Sequence, residues 1–340
     1  MKLKERIDAV SGLSKALIDL DQTRLKSVFL RAEQENKWFS QDNIKQSVIA
    51  IRDQFCDFEK IKSWTELYHI PSETKPLRVG LILAGNIPLV GFHDVLSCFM
   101  AGHHCKIKLS DKDKLLIPML ISELERIDAR TADYFSFVDK LTDYDAVIAT
   151  GSNNSAVHFA YYFKNHKHII RRNRNAIAII MGDESREDII ALGSDIFDYF
   201  GLGCRNVSKL YVPAGYNFDF MLGILHDEFK ELANHNKYKN NYDYNYAIFL
   251  LDKEDFLASG SLILRESTAI ASRIASVYYE YYENIPSLLE VIAEKESEIQ
   301  CVISKLDLPD LKSFALGHAQ RPSLTDYADG IDTMEFLLSL

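Results

Sequence analysis

VGLILAGNIPLVGFHDVLSCFMAGHHCKIKLS, residues 79–110, is the stretch on which the fold turns. Residues 79–84 form a short apolar run closed by Gly85, which reads as a strand because a buried helix would run longer. Residues 89–101 place apolar side chains at helical spacing, and residues 105–109 return to a strand. Two strands joined through a helix by short glycine-bearing turns are the unit of a parallel sheet. Strands this short and this apolar suit a sheet covered by helices on both faces.

The alternation continues downstream with a helix over 114–127, a strand over 146–150 and a helix over 155–163. A second alternating unit begins near Asn175, with a strand over 176–181, a helix over 186–199, a strand over 209–212 and a helix over 218–232. Residues 234–246, rich in Asn, Lys and Tyr, read as a polar loop, and later strands are expected at 247–251, 276–282 and 300–304. Upstream, residues 1–68 read as helices, with Leu13, Leu17, Ile18, Leu25 and Phe29 at helical spacing. Pro71-Ser72-Glu73-Thr74-Lys75-Pro76 reads as a linker.

A chain of 340 residues has room for two domains. Its 47% hydrophobic and 26% charged residues are those of a soluble globular protein. A net charge of -10 argues against non-specific nucleic-acid binding, which needs a basic surface. No apolar run approaches membrane-spanning length. The N-terminal MKLKER leads into a charged amphipathic segment without the apolar core of a secretory signal. Cys56, Cys98, Cys105, Cys204 and Cys301 show no CxxC or zinc-type spacing, so no metal is expected and a reducing, cytoplasmic setting fits.

Cys204 carries the strongest chemical signal. It follows Tyr199-Phe200-Gly201-Leu202-Gly203 and precedes Arg205. Glycines let the backbone turn tightly and leave room for a substrate beside the sulfur. A neighbouring cation favours the thiolate, the nucleophilic form. The other reading is a buried structural thiol, the usual state of a cysteine outside a disulfide.

Further candidates sit at strand ends. Asn86, in Gly85-Asn86-Ile87-Pro88, follows the first strand of the sheet, where open α/β sheets bind ligands. Its amide could donate to a developing oxyanion, or it could cap the following helix. In Lys106-Ile107-Lys108-Leu109-Ser110-Asp111 a lysine could reach a ribose or phosphate, or both could face solvent. Gly151-Ser152, ahead of a helix, is either a phosphate seat or an ordinary N-cap. Arg171-Arg172-Asn173-Arg174 is a basic cluster that could meet an anion or form a solvated turn. His103 and His104 are adjacent and do not share a helix face, which argues against a metal pair. No GxGxxG is present.

In this order and spacing the motifs resemble the aldehyde dehydrogenase superfamily, and within it the acyl-CoA reductase branch typified by the fatty-acid reductase of bacterial bioluminescence. Residues 315–324, ALGHAQRPSL, and Asp329-Gly330-Ile331-Asp332 also resemble that branch. The resemblance spans roughly residues 75–340 and implies two parallel-sheet α/β domains with a cofactor and substrate cleft between them. The implied division is an N-terminal helical segment (1–70), a nucleotide-binding domain (71–174) that carries this segment and optionally the tail, a catalytic thiol domain (175–320) and a C-terminal tail (321–340). By resemblance Cys204 is the nucleophile, Asn86 the oxyanion ligand, Lys108 the ribose-binding lysine, and Gly151 with Ser152 the turn at the cofactor pyrophosphate. The missing GxGxxG does not count against a dinucleotide in this superfamily. The glutamate that activates water in hydrolytic relatives falls at about residues 170–173, Ile-Arg-Arg-Asn, where there is no carboxylate. The glutamine of the usual Gly-Gln-x-Cys motif is Leu202.

The expectation is therefore NADPH-dependent reduction of an acyl-CoA, of fatty type, to an aldehyde through an acyl-Cys204 thioester, with no metal. NADH is the alternative cofactor: Asp111 would bind a ribose diol, whereas Lys106, Lys112 and Lys114 would welcome a 2′-phosphate. A homodimer is expected by resemblance, with an acyl-transfer partner a further option. Two other functional readings stand: a non-catalytic or partner-dependent subunit, and a cofactor-free Cys–His acyltransferase or thioesterase.

Overall fold

Short apolar strands can be buried on both faces only if helices cover them, and in each half of the chain they do. The computed structural model describes residues 1–71, 75–306, 308 and 311–340; residues 72–74 of the expected linker lie outside them. The chain divides into one unit of residues 1–173 with 322–340 and a second of residues 174–321.

The first unit opens with helices α1 (Leu3–Ala16), α2 (Thr23–Glu35), α3 (Gln41–Phe55) and α4 (Phe58–Glu66). There follow β1 (Arg78–Ile82), α5 (Phe92–Ala101), β2 (His104–Lys108), α6 (Leu116–Ile127), β3 (Phe135–Phe137), β4 (Ala146–Thr150), α7 (Asn153–Phe163) and β5 (Lys167–Arg171). The strands form one sheet in the order β3-β2-β1-β4-β5, parallel throughout. Chain connections leave β1 towards β2 and β4 towards β5, so the order reverses between β1 and β4. That switch point opens a crevice at the carboxyl ends of the two strands. Val10, Leu13, Leu25, Phe29 and Trp64 of the N-terminal helices share one core with Val79, Leu81 and Ile107 of the sheet. Ile18, read as part of the apolar stripe, is exposed and lies beyond the end of α1.

The second unit contains β6 (Asn175–Ile179), α8 (Arg186–Phe197), β7 (Val207–Pro213), α9 (Asp219–Phe229), α10 (Asn236–Leu251), β8 (Phe256–Ala258), β9 (Ile263–Glu266), β10 (Ser276–Tyr282), α11 (Ile285–Glu294), β11 (Ile299–Ser304) and β12 (Ser313–Phe314). Its sheet runs β12-β11-β6-β7-β10-β9-β8, parallel except for the β8–β9 pair. Two expectations fail here. Residues 234–246 are not a polar loop and 247–251 are not a strand; both belong largely to α10. Tyr238, Tyr242, Asn245 and Phe249 form its buried stripe, and Tyr238 satisfies its hydroxyl on the carbonyl of Ser261 at 2.7 Å. Tyrosines count as polar in a pattern, yet with their hydroxyls bonded they bury like aromatics.

The last helix, α12 (Thr333–Leu338), returns to the first unit. Leu324, Tyr327, Met334 and Leu337 enter its core. Tyr327 accepts from Trp64 Nε1 at 2.7 Å, and Tyr68 donates to Asp332 at 2.6 Å. Arg171, at the end of β5, is buried, ion-paired to Asp94 of α5, and donates to the Thr333 hydroxyl at 2.7 Å. Removing one partner of such a buried pair leaves an uncompensated charge, so Arg171→Met is expected to destabilise the first unit by about 3–5 kcal/mol. Urea denaturation checks this; an unchanged midpoint would mean that the pair does not anchor the tail.

Candidate active site

The backbone before Cys204 is held in an uncommon conformation. Tyr199, Phe200 and Gly201 have φ of 53°, 59° and 73°, three successive left-handed residues. For the two non-glycines this costs roughly 1–2 kcal/mol each, and burial of both rings holds them there. At Gly201 a Cβ would also stand 3.3 Å from the carbonyl oxygen of Ile196. The turn delivers Cys204 half-buried, whereas Cys56, Cys98, Cys105 and Cys301 are buried. Burial raises the thiol pKa of Cys56 and Cys98, which suits inert core thiols.

Asn206 braces this loop, and sequence reading passed over it. Its Oδ1 accepts from Gly203 N at 2.8 Å, while Nδ2 donates to the carbonyls of Asp195 at 3.1 Å and Asp198 at 2.8 Å. The available signal was local: an Asn two residues past a glycine-rich turn readily bonds nearby backbone. Asp195, buried on α8, accepts from the backbone of Gly317 at 2.6 Å and Ala319 at 2.9 Å. Arg205, read as the cation serving the thiolate, is engaged with the same segment: Nε donates to the Ala319 carbonyl at 2.5 Å and the guanidinium lies 4.5 Å over Phe314. Beside the loop a cavity of about 190 Å³ is lined by Phe200, Leu202, Val207, Ile274 and Ser276 among others.

In the first unit the candidates gather at the carboxyl ends of β1, β2 and β4. Asn86 is half-buried in the loop after β1. It does not cap α5, whose N-cap is Gly91. Asp113, buried, accepts from Leu89 N at 3.1 Å and Leu116 N at 3.2 Å, tying the loop after β1 to the start of α6. Lys108 and Asp111 line a pocket of about 350 Å³ with Lys114, Phe137, Val138 and Asp139. Lys114 lies 2.8 Å from Asp111 and holds that carboxylate below its usual range. Lys106 is directed away, donating to the carbonyls of Thr142 at 2.7 Å and Asp143 at 3.3 Å.

Gly151 ends the β4 turn, where a Cβ would press on Phe159 and Ser155 at 2.9 Å. Ser152 is the N-cap of α7, accepting from Ser155 N at 3.2 Å. The basic cluster does not act as a unit. Arg171 is buried against Asp94, Arg172 is exposed, and Arg174 donates to the carbonyls of Glu296 and Ile299. Asn86, Lys108, Asp111, Gly151 and Ser152 thus share one sheet edge of the first unit, and Cys204 belongs to the second.

A sequence model described as acyl-CoA reductase (LuxC) matches residues 21–227. No curated protein matches the sequence. Among solved structures, aldehyde dehydrogenase 21 of Physcomitrella patens, in complex with the reaction product succinate, is similar at 15% identity and a TM-score of 0.71, over 100% of this chain and 84% of that one. The indole-3-acetaldehyde dehydrogenase AldA of P. syringae, in complex with NAD+ and IAA, is similar at 12% identity and a TM-score of 0.65, over 91% and 73%. The NAD-dependent benzaldehyde dehydrogenase of Corynebacterium glutamicum is similar at 12% identity and a TM-score of 0.63, over 89% and 76%. At these identities the likeness is one of fold: two mostly parallel α/β sheets of the aldehyde dehydrogenase kind. Among the described residues no helix is long and apolar enough to cross a membrane.

Burial pushes the Asp195 carboxyl up to about 6, against the pull of its two backbone donors. The folded protein then holds this proton more tightly than the unfolded chain. Its stability is expected to fall as pH rises from about 4 to about 6, by on the order of 3 kcal/mol. Asp195→Asn should remove that slope in pH-dependent denaturation; a slope of the same size in the variant would assign the titration to another group.

Proposed function

The chain belongs to the acyl-CoA reductase (LuxC) family, and from that premise we propose that it reduces an acyl-CoA thioester to an aldehyde with NADPH, through an acyl-enzyme on Cys204. The observation that carries this reading is the nucleophile loop. Three left-handed residues and a buried asparagine are devoted to holding one half-open thiol. A structural cysteine needs no such scaffold, and strained backbone concentrates where function requires it.

The residues of the first unit fit a dinucleotide. A pocket of about 350 Å³ with an ammonium and a carboxylate on its wall, Lys108 and Asp111, suits a ribose diol. The N-terminus of α7 behind Gly151 and Ser152 offers backbone N–H groups to a pyrophosphate. The Asp111–Lys114 pair leaves the choice between the two nicotinamide cofactors balanced: its carboxylate favours a free 2′-hydroxyl, its ammonium a 2′-phosphate. NADPH is preferred on the family resemblance. When bound, the reduced nicotinamide supplies the hydride that takes the acyl group to the aldehyde.

Cys204 Sγ attacks the thioester carbonyl as the thiolate. The Cys204 backbone N–H and the Asn86 amide are assigned to the oxyanion. Coenzyme A departs as its thiolate and leaves a thioester on Cys204. The cavity beside Phe200 and Leu202 is assigned to the first carbons of the acyl chain. No carboxylate stands at residues 170–173 to activate water.

Nicotinamide absorbance, followed with NADPH or NADH and a panel of acyl-CoA esters, tests this reading. Ester-dependent oxidation should disappear in Cys204→Ala and fall about 100- to 1000-fold in kcat in Asn86→Ala. A folded wild-type protein that oxidises neither cofactor with any ester overturns the reductase reading.

A further inference from the structure

The cavity of about 190 Å³ lies wholly within the second unit, and both arms of the loop that carries Cys204 line it: Phe200, Gly201 and Leu202 before the cysteine, Val207 and Ser208 after it. Another part of its wall is the start of β10. There Ala275, buried, has φ of 60°, a left-handed conformation disfavoured for a residue with a Cβ. Strained backbone thus meets this cavity from two separate segments, and such backbone concentrates at ligand sites.

Four hydroxyls belong to the lining. Three are engaged with carbonyls: Tyr238 donates to Ser261 at 2.7 Å, Ser208 to Ile270 at 2.7 Å and Ser272 to Ser276 at 2.6 Å. The fourth, Ser276 Oγ, has no hydrogen-bond partner among the described residues, although Ser276 is only 5% exposed. The Ser276 backbone is satisfied, its N–H donating to the Arg273 carbonyl at 3.0 Å and its own carbonyl accepting from Ser272. Only the side chain is left over, and a buried hydroxyl without a partner is uncommon and costly. A ligand hydroxyl answers it in either sense, since each group can donate or accept. A carboxylate does not fit as well. Arg273, the one charged residue of the lining, has its guanidinium 5.5 Å over Phe249 and 3.4 Å from Asn245 Oδ1, residues of α10 that do not line the cavity. The rest of the lining is mostly apolar, as in sites where one or two polar groups fix a ligand's orientation. A cavity of about 150 Å³ holds a benzene ring, so this one holds roughly seven or eight non-hydrogen atoms.

We propose that the cavity selects a short oxygenated acyl group, one whose chain fits within roughly seven or eight non-hydrogen atoms and carries a neutral hydroxyl paired with Ser276 Oγ. The proposal rests on the reading of this cavity as the seat of the acyl chain. Ser276 is then a specificity residue that touches the chain and not the reacting carbonyl. Methylenes within the cavity lie against Phe200 and Leu202, and those beyond its length gain no burial there.

Calorimetric titration of the full-length Cys204→Ala protein, which cannot be acylated at that position, tests this. The probes are butyryl-CoA and hexanoyl-CoA, their derivatives hydroxylated at C3 or at the terminal carbon, and unsubstituted esters up to tetradecanoyl-CoA. At least one hydroxy ester is expected to bind about 10-fold more tightly than its parent, and affinity along the unsubstituted series to level off near eight carbons. Adding Ser276→Ala should abolish the hydroxyl's advantage and leave affinity for the parent ester unchanged. Ser276→Ala alone should melt no lower than wild type, because the lost hydroxyl makes no bond in the free protein; Ser276→Cys is the second variant. A merely structural serine would instead lower the melting temperature and weaken all esters alike. Equal affinity for hydroxy and parent esters, an advantage that survives Ser276→Ala, affinity rising steadily to tetradecanoyl-CoA, or no binding of any ester overturns the proposal. A Ser276-dependent hydroxyl preference in a protein whose wild type oxidises neither nicotinamide keeps the cavity assignment and loses the reductase reading. Reduction of esters without that preference keeps the reductase and loses the assignment.

Discussion

The loop that leads to Cys204 depends on one buried amide. The chain leaves α8 at Phe197 and runs through a left-handed turn to Gly203, so carbonyls at the helix end and amides of the turn need partners beyond the helix. Asn206 supplies them from a single side chain: an acceptor for Gly203 N, and donors for the carbonyls of Asp195 and Asp198. Only a short carboxamide combines acceptor and donors at this reach. An aspartate lacks the donors, and a glutamine places the same atoms one bond farther out. The strain at Tyr199 and Phe200 is tolerated because the loop cannot relax without breaking these bonds.

The first unit solves the same problem with a carboxylate. Asp113 ties Leu89, which has φ of 61°, to the start of α6, and Ser47 of α3 donates to the Pro88 carbonyl at 2.8 Å. The N-terminal helices carry no candidate site residue, yet α3 holds the loop in which Asn86 sits. In both units, then, a buried polar side chain from an adjoining segment fixes a loop at a strand end. Such loops are placed by buried hydrogen bonds rather than by their own propensity.

What was legible in the sequence follows from range. The parallel strands could be read because both of their faces are apolar, a property of each strand alone. The tight turn ahead of Cys204 could be read because its glycines lie within a few residues of one another. α10 was misread because its buried stripe is built of tyrosines and an asparagine, whose burial is decided by distant partners such as Ser261. Arg205 looked like an activator of its neighbour, but its guanidinium is claimed by residues more than a hundred positions away. Asp195 is equally opaque, since nothing near it announces that it will clamp residues 317 and 319.

The fate of residues 170–173 is set by distant partners in the same way. By resemblance this is where hydrolytic relatives carry the carboxylate that activates water. Here the stretch ends a strand in an arginine that is buried, ion-paired to Asp94 and bonded to Thr333. A carboxylate in place of Arg171 would face Asp94 at close range, and two like charges in a dry site cannot both stay ionised. The position has become an anchor for the C-terminal segment. One buried ion pair thus turns the end of β5 into the seat of the C-terminal segment.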